Sequence, residues 1–244
     1  MSQYQGFLIK KGNGNIVVNS KKSTSIITNQ LQLDYLKDVA SDYMKGKLLD
    51  LGCGEKPYKL IYDNLCESSI GIDVETCKHE QKYVDVFASA DNIPFADDTF
   101  HTVLCTNVLE HVSNMEKAFS EISRILKKGG YLIISIPFLY PVHESPYDFY
   151  RYTVYGIRHQ LEQNGFEIER EIAWGGVGTL ICVYVHLFLG KMIKIKWVQQ
   201  LSCFLQKVTY SFIKKCCYKR MLSGKGKIDK VITLGNFVVA QKKV

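Results

Sequence analysis

The chain has 244 residues, 46% of them hydrophobic, which allows a full core in one α/β domain with an appendage or in two small domains. Its net charge of +7 is unevenly spread: residues 175–244 hold 13 Lys or Arg against one acid, and residues 1–174 hold 18 against 23. Eight cysteines form no CxxC pair and no metal-ligand spacing, so no metal is expected, and they read as free thiols of a reducing, intracellular compartment.

The opening MSQYQGFLIKKGNGN has no apolar signal-peptide core, so a cytoplasmic location is expected. Phe7–Lys11 and Ile16–Asn19 flank a Gly/Asn turn, which reads as a hairpin or as a disordered leader. A helix is predicted from Asn29 to Met44 on the spacing of Leu33, Leu36, Val39, Ala40 and Tyr43, ended by Gly46. Residues 1–46 are thus an N-terminal extension.

Next comes KLLDLGCGEKP, residues 47–57. Leu48, Leu49 and Leu51 suit a buried strand, Gly52-Cys53-Gly54 a tight turn, and Pro57 the first turn of a helix over Tyr58–Cys66. That geometry lets a ligand reach bare backbone at the carboxyl edge of a parallel sheet. Asp73 closes a second strand, GIDV, 19 residues after Gly54, where an acid can accept from two ribose hydroxyls. A short strand is expected at Tyr83–Phe87, then a turn-rich loop, NIPFADDTF. HTVLCT, from His101, is an apolar strand.

Asn114 can cap a helix over Met115–Leu126, stopped by Gly129-Gly130. YLIISI, from Tyr131, has the continuous apolar character of a strand covered on both faces. Thr153 caps a helix to Gln163, and Phe166–Ile172 is a strand. Alternating strands and helices argue for a parallel, doubly wound sheet. VITLGNFVVAQKK returns to strand character at the end.

LLDLGCG, GIDV, NIPFADDTF, VLCTNVLEHV and RILKKGGYLIISIPF, in this order, resemble class I S-adenosylmethionine-dependent methyltransferases, over Lys47 to about Glu171. The resemblance implies a Rossmann-like, mostly parallel seven-stranded sheet closed by a hairpin of its last two strands. Residues 47–174 and 231–244 would form that domain, and residues 175–230 a basic, apolar helical insertion before the last strand. It implies S-adenosyl-L-methionine as cofactor, with Gly52, Cys53 and Gly54 admitting its methionine part, Asp50 beside them and Asp73 on the ribose. Ser89 stands where many relatives carry an adenine-binding aspartate, and Asp91 is near enough to substitute. His101, where relatives often have another aspartate, reads as structural.

VLEHV lies at the ligand edge, so Asn107, Glu110 and His111 are candidates to face cofactor or acceptor. PFLYPVHESPYDFYRYT, residues 137–153, follows the fifth strand at the same edge, with aromatic side chains and a few polar groups as in a ligand pocket. His143 is its natural general base, and Glu144, Tyr147, Asp148, Arg151 and Tyr152 are substrate-binding candidates. Similar loops occur in methyltransferases of bacterial surface-glycan pathways. The alternative is a rigid lid.

Val177–Leu189 is a 13-residue apolar run, too short to span a bilayer. Lys191–Arg220 mixes Lys with apolar and aromatic residues, as an interfacial helix does. Residues 177–220 are therefore expected to meet an anionic membrane surface, as a peripheral protein at the inner face. A cap on the substrate pocket and a grip on nucleic acid are the alternatives. The expected reaction is methyl transfer to a small-molecule, glycan or lipid-linked acceptor, with a place in surface polysaccharide synthesis. RNA or DNA methylation is disfavoured because TNVLEH replaces a base-stacking motif after the fourth strand. A non-catalytic scaffold is opposed by the intact glycine turn and Asp73.

Overall fold

The computed structural model describes residues 3–19, 25–76, 80–189, 196–216 and 232–244. Its centre is a seven-stranded sheet. In chain order its strands are β4 (Lys47–Leu51), β5 (Ser68–Asp73), β6 (Val86–Phe87), β7 (Phe100–Thr106), β8 (Leu126–Pro137), β9 (Phe166–Trp174) and β10 (Gly235–Lys242). Across the sheet the order is β6-β5-β4-β7-β8-β10-β9. The first five are parallel, and β10 runs antiparallel between β8 and β9. This is the mixed α/β architecture with a seven-stranded, mostly parallel sheet that the sequence implied.

Each central strand is buried on both faces, and its side chains alternate between two cores. Leu49, Leu51, Val103, Cys105, Leu132 and Ile134 face α3 (Met115–Ile125) and α4 (Val154–Gln163). Leu48, Leu104, Ile133, Phe237 and Val239 face α1 (Ile26–Tyr43) and the short α2 (Lys59–Tyr62). The caps read from sequence are present: Asn114 Oδ1 accepts from Lys117 N, and Thr153 Oγ1 from Gly156 N. At the N-terminus β1 (Gln3–Gln5), β2 (Leu8–Lys10) and β3 (Ile16–Val18) form a separate antiparallel sheet, with the hairpin turn at the Gly/Asn run.

Three local expectations need correction. The Met115 helix ends at Ile125, and Leu126 already pairs with Phe100 in the sheet. Gly129-Gly130 therefore does not stop a helix. It forms the irregular step in β8, where a Cβ on Gly130 would lie 2.8 Å from Lys127 O and 3.0 Å from His101 O. The helix after Pro57 is one turn long, because Asp63-Asn64 turns the chain back toward β5. The Tyr83 strand is a 3₁₀ turn, Gln81–Tyr83, followed by a two-residue edge strand. Asp85, between them, instead accepts from Gly71 N and pairs with buried Lys56.

Two helices, α5 (Val177–Leu187) and α6 (Lys196–Cys216), lie between β9 and β10 in the chain. α6 is tied to α1: Gln206 Oε1 accepts from Ile26 N at 2.9 Å, and Tyr210 OH bonds Asp34. Among the described residues no helix is long and apolar enough to cross a membrane.

Candidate active site

The carboxyl ends of β4, β7 and β8 open on a cavity of about 510 Å³. One end is built by the turn after β4. Gly52 has φ +67°, and a Cβ there would lie 2.2 Å from Val108 Cγ2, so glycine is required by both backbone and packing. Gly54 N donates to Asp73 Oδ2 at 2.8 Å, and Gly52 N and Cys53 N both donate to Ile72 O. Asp73 thus fixes the turn rather than lining the cavity.

Asp50 does line it, although only 2% exposed. Burial pushes its carboxyl up to about 7, against the lowering effects of the Tyr62 hydroxyl, which donates at 2.9 Å, and of Lys56. Along the cavity wall runs a polar chain. Tyr58 OH donates to Gln32 Oε1 (3.0 Å), Gln32 Nε2 to Ser135 Oγ (3.5 Å), and Ser135 Oγ to Asn107 Oδ1 (2.9 Å). Asn107 adopts φ +53°, a conformation Asn tolerates better than most residues.

The other end is built by the 3₁₀ turn Leu109–His111 and the loop after β8. The two are stitched together: Phe149 N donates to Glu110 O at 2.8 Å, and His111 Nδ1 contacts Tyr147 O at 2.7 Å. Arg151 grips Asp148 with both terminal nitrogens, at 2.5 and 2.6 Å. Burial raises the Asp148 carboxyl, but Arg151 and the His143 backbone N–H outweigh it and hold the group at about 2. His143 is held below the usual imidazole value by burial and by its neighbour His111. Glu110 is fully buried, and burial pushes it up to about 8.

Of the residues expected at the site, Asp50, Gly52, Cys53, Gly54, Asn107, His111, His143 and Glu144 line this cavity. Glu110 and Asp148 sit behind the two histidines, 3.7 to 3.8 Å and 3.3 Å from ring nitrogens. Ser89 and Asp91 lie off the wall and bond each other at 2.5 Å. Tyr147, Arg151 and Tyr152 do not line it either. Phe7, Thr28, Gln32, Tyr58, Tyr140 and Trp174 do, and were not singled out from sequence. Tyr58 and Tyr140 adjoin the motifs and were within reach. Phe7 and Trp174 arrive from outside the motif region, through β2 and β9.

The lining suits S-adenosyl-L-methionine, which carries net positive charge. Asp50 and two further acids, Glu55 and Glu144, line the cavity, and among the described residues no Lys or Arg does.

Residues 49–134 match the family model described as methyltransferase domain. An uncharacterised protein of Methanocaldococcus jannaschii is 39% identical over 90 residues, which are 36% of this chain and 40% of that protein. A ubiquinone/menaquinone biosynthesis C-methyltransferase of Haemophilus ducreyi is 36% identical over 72 residues, 28% of this chain and 27% of its own. The solved structure of the [4+2]-cyclase SpnF superposes with a TM-score of 0.57 at 20% identity, covering 91% of this chain and 84% of that one. The chain thus spans less than half the length of these curated relatives. Motif order, sheet topology and family match agree: residues 49–134 carry a methyltransferase domain, on the mostly parallel seven-stranded sheet of the class I S-adenosylmethionine-dependent fold.

Proposed function

We propose that the protein is an enzyme that transfers a methyl group from S-adenosyl-L-methionine to a small-molecule, glycan or lipid-linked acceptor. Residues 47–174 with 231–244 form its catalytic unit in this reading. The observation that carries it is the cavity joining the Gly52–Gly54 turn to His111, His143 and Glu144. Gly52, Gly54 and Asp50 hold the methionine end of the cofactor, and Asp73 supports the turn. The bound cofactor supplies an electrophilic methyl on a positive sulfur, so the protein has to bind, align and activate the acceptor. Activation falls to the Glu110–His111–His143 end, where His143 Nε2 takes the acceptor's proton. The Asp148–Arg151 pair holds the loop in place behind it.

Methyl transfer to a small molecule is supported by the H. ducreyi relative, whose name specifies C-methylation in quinone biosynthesis. A glycan acceptor and a role in surface polysaccharide synthesis rest on the 137–153 loop alone. A lipid-linked acceptor has support from the 175–230 insertion. On α6, Val198, Ser202 and Gln206 are buried, whereas Trp197, Leu201, Phe204, Val208 and Phe212 form an exposed apolar row, with Phe204 61% exposed. Such a helix lies in a membrane interface, and the basic charge of residues 175–244 favours an anionic leaflet. Its buried side holds α1 over the cavity, so one helix serves as both cap and anchor.

The test is calorimetry with S-adenosyl-L-methionine, followed by transfer of labelled methyl to glycan, lipid and RNA fractions. Failure of the wild type to bind the cofactor would overturn the reading. Label in RNA alone would replace the acceptor class.

A further inference from the structure

At the acceptor end three side chains aim donor atoms at one point. Glu110 Oε1 lies 3.7 Å from His111 Nε2 and 3.8 Å from His143 Nε2, and one atom from each residue falls within 4.8 Å of the others. These separations are too long for hydrogen bonds, so no shared proton explains the grouping. Among the described residues no other residue donates a hydrogen bond to either Glu110 oxygen, although the side chain is completely buried. A buried carboxyl without a donor is costly, and few proteins leave one in place without a ligand or a function.

Both rings are held through Nδ1. His111 Nδ1 is 2.7 Å from the Tyr147 carbonyl, which can only accept, so the proton sits on Nδ1 and Nε2 offers a lone pair. His143 Nδ1 is 3.3 Å from Asp148 Oδ2. Arg151 Nη2, which bonds that carboxylate at 2.6 Å, also makes a hydrogen bond of 3.5 Å to the same nitrogen. Arg151 and Asp148 thus flank the His143 ring at Nδ1 and leave its Nε2 facing Glu110. Imidazoles that ligate metals commonly donate their other N–H to a carbonyl or carboxylate, as His111 does to the Tyr147 carbonyl.

We propose that Glu110, His111 and His143 bind a divalent transition-metal cation at the acceptor end of the cavity. Two imidazoles and one carboxylate select the class that includes Zn²⁺, Fe²⁺, Mn²⁺ and Co²⁺ over Mg²⁺ and Ca²⁺. Bonds of about 2.1 Å place ligand atoms roughly 3.0–3.4 Å apart, so the donors close by small side-chain rotations. Both histidines line the cavity, so the cation's remaining positions face it and can take an acceptor oxygen. The proposal rests on this being the acceptor end, and the cation then takes over the activation assigned above to His143 as a free base. An acceptor hydroxyl bound there loses its proton to solvent. Its oxygen–carbon bond forms as the carbon–sulfur bond breaks, and the sulfonium leaves as a neutral thioether.

The experiment uses the full chain, stripped by chelator. Zn²⁺ is titrated by calorimetry and Co²⁺ by visible absorption, with S-adenosyl-L-methionine titrated in parallel. The expected result is one cation per chain, with a Co²⁺ spectrum of nitrogen and oxygen ligands. Glu110→Gln, His111→Gln and His143→Gln should each weaken binding about tenfold or more, as loss of a ligand does, while retaining the wild-type circular dichroism. No binding by the wild type overturns the site, as does a thiolate charge-transfer band, which would put the cation on cysteine. Unchanged affinity in all three variants overturns it as well. The wild-type spectrum decides even if a variant fails to fold. Cofactor binding without cation binding rejects the cation site alone. The converse rejects the methyltransferase reading and leaves the cation site standing.

Discussion

Asp50→Asn should turn a buried acid into a measurable pH dependence of stability. Burial holds the Asp50 carboxyl at about 7 in the folded protein, against 3.8 for a free aspartate. Its folded value is raised, so its stabilising effect is complete below 3.8 and is lost as pH climbs toward 7. Between those values the unfolded chain releases the proton while the folded one keeps it. Stability then falls by about 1.4 kcal/mol per pH unit relative to a side chain that cannot ionise. From pH 4.5 to 6.5 this amounts to about 2.5 kcal/mol, or roughly 5–10 °C in melting temperature for a chain of this size. Asparagine keeps an oxygen for the Tyr62 hydroxyl, so the hydrogen bond survives and only the titration is removed. Thermal melts of both proteins across pH 4.5 to 8 are the assay. The variant's advantage should grow up to pH 7 and then level off. A constant difference across the range would refute the claim that burial governs this carboxyl.

Gly52→Ala should cost about 1–3 kcal/mol from overpacking against Val108, with added strain from the positive φ. Gly52→Ala with Val108→Ala should recover part of the melting temperature, since only the clash is relieved. Asp73→Ala removes the carboxylate that accepts from Gly54 N, and should weaken S-adenosyl-L-methionine binding by about 1.5–3 kcal/mol in calorimetry. Asp73→Asn should lose less if holding the turn is its main role. Phe204→Asp with Phe212→Asp should abolish co-sedimentation with anionic liposomes without changing the melt, because both side chains are exposed. Equal sedimentation of wild type and variant would reject α6 as the membrane contact.

Local pattern carried the sheet and the turn after β4. Strand β4, its glycine turn and Asp73 are close in sequence, and the bond from Gly54 N to Asp73 is the physical counterpart of their spacing. The caps at Asn114 and Thr153 are likewise local, each a bond spanning three residues. Gly129-Gly130 misled because two glycines after a helix usually end it, whereas here they let backbone pass close to Lys127 and His101 carbonyls. That approach depends on β7, which lies well upstream, so no window around the glycines contains it. Phe7 and Trp174 were missed for the same reason: their place at the cavity depends on β2 and β9 reaching the sheet's ligand edge.

The acceptor end shows where residue type and residue state part company. Sequence singled out Glu110, His111 and His143 as separate candidates, with His143 as the base. It did not join them, because Glu110 and His111 lie on a 3₁₀ turn after β7 and His143 on a loop after β8. Their convergence follows from β7 and β8 being parallel neighbours whose carboxyl ends share one edge. What the sheet brings together, the backbone then tunes. The Tyr147 carbonyl orients one ring, Arg151 and Asp148 flank Nδ1 of the other, and Arg151 keeps Asp148 ionised. A lone histidine in a loop would be an adequate base without any of this support. A buried acid beside two rings, each held by its Nδ1, is more apparatus than proton transfer requires, and it is the arrangement that ligation of a cation needs.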